Sequence, residues 1–253
     1  ASGGNGSVAF NAGEDIVQNA NADVSAAGSG AITYNAGTIK PTSAIVIYGK
    51  IANGAGGITL NAPNGVTLNS GASIATSGPF MVNSDSDLSG SGSYVQQIAS
   101  NVIVAHDYVT ITAADVDLNG ALDAGQGNVS LTPSRTDTAI GLGAVTLPGA
   151  FLLTLTDFVN LVTTGTVTVG GQGSVGSVSL DGLDLSGSPF AALAVTGGMF
   201  LLGQIALAVG MALKLQGSSL TDSNGGNWNI TAADRGSVYF LAAQVGTDAD
   251  PLE

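Results

Sequence analysis

The chain has 253 residues, 38 of them glycine and only 9% charged, and it contains no cysteine; an ordinary soluble domain carries about 25% charged residues. Five basic residues stand against 18 acidic ones, a net charge of -13. That balance excludes nucleic-acid binders, which need a basic stripe to displace counterions. It disfavours an anionic membrane surface for the same reason, and the missing cysteine removes disulfides, thiolate metal sites and cysteine nucleophiles.

Hydrophobic residues make up 44% and aromatics 5%, so any core is built from small and medium side chains. Taken in chain order, the sequence keeps writing one short pattern. "GSVAFNAG" starts at Gly6 and "GAITYNAG" at Gly30. "GGITLNAPNGVTLNSGASIAT" runs from Gly56 to Thr76, with the same apolar position returning at Ile58, Val66 and Ile74. Residues 79–97, "PFMVNSDSDLSGSGSYVQQ", are polar and rich in Gly and Ser, which predicts a loop excursion. "YVTITAAD" follows at Tyr108 and "GNVSLTPS" at Gly127, and residues 133–143 read as a second corner insertion.

Residues 154–165, "TLTDFVNLVTTG", place apolar residues at Phe158, Val159, Leu161 and Val162. That spacing suits a single helical turn near 156–162 with Thr156 as its cap. Strand patterns resume with "GTVTVGG" at Gly165 and "GSVSLDG" at Gly176. They continue with "MFLLGQIALAVGMALKL" from Met199, "NWNITAAD" at Asn227 and "GSVYFLAA" at Gly236. The Met199–Leu215 stretch reads as two buried strands around a Gly turn. It carries Gly203, Gln204, Gly210 and Lys214, and at about 17 residues it only reaches the lower limit for a membrane span.

Each unit is a run of roughly four to six alternating apolar and small polar residues bracketed by Gly or Asn, a strand signal between turn signals. Recurrence of one motif, brevity of the strands, and Asn just after the strand at Asn35, Asn61 and Asn69 favour a parallel β-solenoid over a sandwich. Aligned amides can then form ladders up the stack. The reading is one all-β domain, a parallel β-helix over residues 1–253, of roughly 11 turns at about 22 residues each. Ile58, Leu60, Val66, Leu68, Val109, Ile111, Val129, Leu131, Val167 and Val169 point inward. The sequence opens Ala1-Ser2 and closes Leu252-Glu253, dipeptides that cloning leaves behind, so the chain is read as a fragment of a longer protein.

The rungs "ITLNAPNGVTLNSGASIAT", "VTITAADVDLNGALDAGQGNVSLTPS" and "LTDFVNLVTTGTVTVGG" resemble the filamentous-haemagglutinin-like exoproteins, the passengers of two-partner secretion. The resemblance covers most of Ala31 to Thr231 and is to the repetitive shaft rather than the secretion domain. It implies a right-handed parallel β-helix, export through an outer-membrane partner, an extracellular place on the bacterial cell surface, and a role in adhesion. Its partners would be a host-cell or matrix glycan or protein, or neighbouring copies of itself. No membrane insertion, catalysis or cofactor is expected.

Asp115, Asp117, Asn119, Gly120 and Asp123 occupy calcium-loop positions 1, 3, 5, 6 and 9. Position 12 is Gln126, which lacks the bidentate carboxylate, so the loop reads first as a solenoid turn and second as a Ca2+ site. Asp85 and Asp87, and Asp181 and Asp184, read as solvated turns. His106-Asp107 is the one His-Asp pair, with no nucleophile elbow beside it.

The rival class is a carbohydrate-active β-helix enzyme. A lyase needs basic residues, and only Lys40, Lys50, Arg135, Lys214 and Arg235 exist. A hydrolase needs paired carboxylates, for which Asp115 and Asp117 are the candidates. Thr110-Thr112 and Thr166-Thr168 hint at an ice-binding array that other rungs lack. Trp228 and the five tyrosines read as packing. Ligand binding, where present, belongs to the excursions near Asp85–Tyr94 and Ser134–Gly141, since loops tolerate changes of specificity that rungs do not.

Overall fold

The computed structural model describes residues 5–105 and 107–218, and beyond these the backbone of 219–222, 230–232, 237–242 and 250–251. The chain is an all-β solenoid of about nine turns with parallel sheets. The longest sheet runs from Val8–Asn11 through Ile32–Asn35, Ile58–Asn61, Phe80–Asn83, Val109–Ala113, Val129–Pro133, Thr166–Val169, Ala192–Thr196 and Ala212–Gly217 to Ser237–Ala242. Among the described residues only the last pairing, of Ser237–Ala242 with Asp250–Pro251, is antiparallel.

One turn explains the sequence echo. Ile58–Asn61, Val66–Leu68 and Ser73–Thr76 are three strands on three faces. In the next turn Phe80, Tyr94 and Asn101 lie beside Ile58, Val66 and Ser73. The eight-residue repeat of Ile58, Val66 and Ile74 therefore marks successive faces of one turn, and the stacking repeat is three such steps. The ten residues expected to point inward are each at most 1% exposed. Burying such side chains stabilises by about 1.5–3 kcal/mol each. The Thr and Ser between them are half-buried on the outer face.

The stack has fewer turns than the roughly 11 expected because two turns are long. The turn from Phe80 to Val109 carries a detour, but a shorter one than residues 79–97. Phe80–Asn83 and Tyr94–Gln96 are rung strands, with Phe80 and Tyr94 fully buried, so the departure is confined to 84–93. The turn from Val129 to Val167 is longer still. After Pro133 it forms Ile140–Gly143, then Phe151–Leu153 parallel to it, then a helix at Leu155–Asn160. The insertion thus extends well beyond residues 133–143.

This long turn also changes the solenoid's cross-section. The face built by Ile16–Gln18, Ile45–Ile47, Val66–Leu68, Tyr94–Gln96 and Val116–Leu118 stops at Val116–Leu118. A new face begins with Phe151–Leu153 and Ile140–Gly143 and continues through Val178–Asp181 and Met199–Leu202. The helix lies where the old face ends. Its N-cap is Thr154, not Thr156, because Asp157 at the third helical position accepts both the Thr154 amide and its hydroxyl at 2.7 Å. The Met199–Leu215 stretch contains three strands rather than two: Met199–Leu202, Ile205–Leu207 and Ala212–Gly217. Each belongs to a different sheet.

Candidate binding groove

The two excursions lie against each other, and the Asp85 carboxylate joins them. The residue is fully buried. Its Oδ1 accepts the Ser89 hydroxyl at 2.7 Å, and its Oδ2 accepts the Gly90 amide at 2.8 Å and the Ser134 hydroxyl at 2.5 Å. Burial pushes the carboxyl up. The Ser134 and Ser89 hydroxyls and the Gly90 and Gly92 amides outweigh burial and hold it below the usual carboxylate range. Asp85 is therefore a charged tie between one turn's detour and the start of the next detour, not a solvated loop residue.

Between the excursions runs a groove with two compartments that share Gly90, Ala114 and Gly149. One, of about 270 Å³, is bounded by Ser89, Arg135, Asp137 and Thr138. The other, of about 350 Å³, is bounded by Ser91, Ser93, Asp115, Thr146 and Leu152. Arg135 and Asp137 form a two-point ion pair at the rim, with Nε to Oδ1 at 3.2 Å and Nη2 to Oδ2 at 3.1 Å. Both are well exposed, so the pair sets local geometry and contributes little stability.

Asp115 lines the groove and is also structural. Its Oδ1 accepts the Leu152 amide at 2.8 Å, and its carbonyl accepts the Tyr94 amide. Burial raises its carboxyl, the Leu152 and Val116 amides counter that, and the charges of Asp157 and Asp117 add to the rise, leaving it above the usual range. Asp157 behaves alike, raised first by burial. It was not singled out from the sequence, although Thr154 and Asp157 stand at capping-box spacing.

The calcium-loop candidates do not gather. Asp117 is exposed and takes the Asn119 amide group at 2.6 Å, while the Asp123 Oδ1 accepts the Gly125 backbone amide at 2.8 Å. Among the described residues no three acidic or histidine side chains are grouped as a metal site would require. Asp87 accepts the Ser89 amide, Asp181 the Gly182 and Gln204 amides, and Asp184 the Ser186 amide. Asp107 accepts the Tyr108 amide; His106, Trp228 and Arg235 lie outside the described residues. The Thr pairs do not form a regular array, because Thr110 aligns with Ser130 and Thr168, whereas Thr166 aligns with Ala192.

Tyr34 and Tyr94 are interior, and each hydroxyl donates to a buried glutamine, Gln18 at 2.6 Å and Gln96 at 3.2 Å. Tyr48 and Tyr108 are exposed and line neither compartment. Among the described residues no helix is long and apolar enough to cross a membrane. No protein-family model, curated protein or solved structure matches the chain.

Proposed function

We propose that the chain is a non-catalytic structural and adhesive segment of a secreted bacterial surface protein, a rigid rod that carries binding regions outward. The observation that carries this reading is the in-register parallel pairing that continues from Val8–Asn11 to Ser237–Ala242. Such a stack resists bending because along this sheet each inner strand is hydrogen-bonded to the strands on either side of it. The resemblance of the rungs to the filamentous-haemagglutinin-like shaft supports an extracellular place on the cell surface, reached through an outer-membrane partner. The two excursions are the parts free to acquire specificity. Their partner is a host-cell or matrix glycan or protein, or a neighbouring copy of the rod.

Beads coated with the purified chain test the reading. Retention on glycan- or matrix-coated surfaces, with extended particles in electron micrographs, is the expected result. Compact particles and no retention overturn it. Incubation with neutral and anionic polysaccharides tests the non-catalytic part. Sustained turnover that disappears in Asp115→Asn would make the protein an enzyme.

A further inference from the structure

We infer that the groove between the excursions binds a neutral saccharide. This deepens the rod reading and rests on it, since it takes the excursions as the presenting part of the rod. The two compartments meet over Gly90, Ala114 and Gly149. At Gly149 a Cβ would meet nothing within 4 Å, so a sugar ring can approach the backbone closely there. Each compartment's volume is near the lower end of small-molecule sites, about 300–1,000 Å³, so the joined groove suits a short oligosaccharide better than a single ion.

The chemistry of the walls selects the ligand class. Ser91, Ser93 and Thr138 supply hydroxyls that both donate and accept. The Arg135–Asp137 pair sets guanidinium donors beside carboxylate acceptors. Neighbouring sugar hydroxyls, which also donate and accept, match that alternation. Asp115 places negative charge in one compartment and Asp137 offsets the Arg135 guanidinium in the other, within a chain of net charge -13. A phosphate or uronate would be repelled. No aromatic side chain lines either compartment, which disfavours a nucleobase or an aromatic peptide anchor. The site is also preorganised, because the Asp85 tie to Ser134 fixes one wall against the other; less ordering entropy is then lost on binding.

The test titrates the whole chain with cellotriose, mannotriose and chitotriose as neutral probes and trigalacturonate as the acidic one, by calorimetry and chemical-shift mapping. At least one neutral probe binds. Its affinity falls about tenfold or more in Ala114→Phe, which fills the place where the compartments meet, and in Asp137→Ala, which removes an exposed acceptor without touching the core. If Ala114→Phe fails to fold, Asp137→Ala decides. No neutral binding up to about 10 mM, tighter binding of trigalacturonate, or affinity unchanged in the folded variants overturns the inference. Bead retention and extended particles that persist in Ala114→Phe would overturn the saccharide site and leave the rod reading standing.

Discussion

The carboxylate of Asp157 accepts the backbone amide of Leu118 across 39 residues of sequence, at 2.6 Å. From the same helix, Asn160 donates its side-chain amide to the Leu118 carbonyl at 2.7 Å. Leu118 sits in the last strand of a face that has no further rung, and two side chains stand in for the missing strand. Removing the first of them exposes the reason it is there. Asp157→Ala leaves a buried amide unsatisfied, at about 1–3 kcal/mol, and removes the Thr154 cap, at about 1 kcal/mol. Asp157→Asn keeps one accepting oxygen and loses less. Urea midpoints and faster amide exchange at Leu118 measure both variants.

A ladder of side-chain amides runs up the outer face of the longest sheet. Asn61 donates to Asn35 at 2.8 Å, and Asn35 donates to Asn11 at 2.7 Å. Asn83 stands next in register with its Oδ1 unpaired. Asn35→Ala breaks two amide bonds and Asn11→Ala only one. At about 0.5–1.5 kcal/mol per bond, and toward the lower end because the ladder is partly exposed, Asn35→Ala costs about twice as much. Equal losses in denaturant midpoint would show that the ladder is incidental.

Most of the rungs were legible in the sequence because a solenoid repeats one local solution. Alternation in "ITLN" and "VTLN" gives the inward residues directly, and stacking adds nothing that contradicts it. What was hidden depends on contacts far apart in sequence. Tyr94 follows a run of Ser and Gly and reads as loop, yet it packs beside Val66 inside the stack. The groove is equally invisible, because it exists only when Ser134 reaches back to Asp85. The spacing of Asp115 left both a solenoid turn and a calcium ligand open, and residue type cannot reveal that the Leu152 amide donates to its Oδ1.

The carboxylates give the protein a pH dependence with two limbs. Asp115 and Asp157 have folded values raised above the ordinary carboxylate value of 3.8, chiefly by burial. Their contribution is fully present below 3.8 and is lost as pH rises through the raised values. Asp85 is lowered, so its contribution is present above 3.8 and disappears as pH falls through its depressed value. Stability therefore rises from neutral pH toward mildly acidic pH and then declines in strong acid. Melting temperatures across this range test the sign. Asp115→Asn flattens the neutral limb and Asp85→Asn the acidic one. A monotonic rise toward alkaline pH would contradict the raised Asp115 and Asp157 carboxyls, and an absence of any loss in strong acid would contradict the lowered Asp85.

Gly176 supplies the sharpest test of how the groove wall is held. The Gly176 amide donates to the Thr136 carbonyl at 3.2 Å, beside Val175 at 2.8 Å. A Cβ on Gly176 would lie 1.9 Å from the Thr138 carbonyl oxygen, and backbone cannot swing aside as a side chain can. Gly176→Ala must therefore displace the 136–139 segment, at about 1–3 kcal/mol, and shift Thr138 and Ala139 where they line the groove. Gly187 is the matched control, because a Cβ there meets nothing within 4 Å. Gly187→Ala leaves stability unchanged or raises it by up to about 1 kcal/mol through the unfolded chain. Paired melting curves should separate the two variants clearly. Chemical-shift changes in Gly176→Ala should concentrate at Arg135–Ala139 and leave the rungs around Ile58 and Val66 undisturbed. Changes spread evenly along the stack would mean that the wall and the rungs deform as one body.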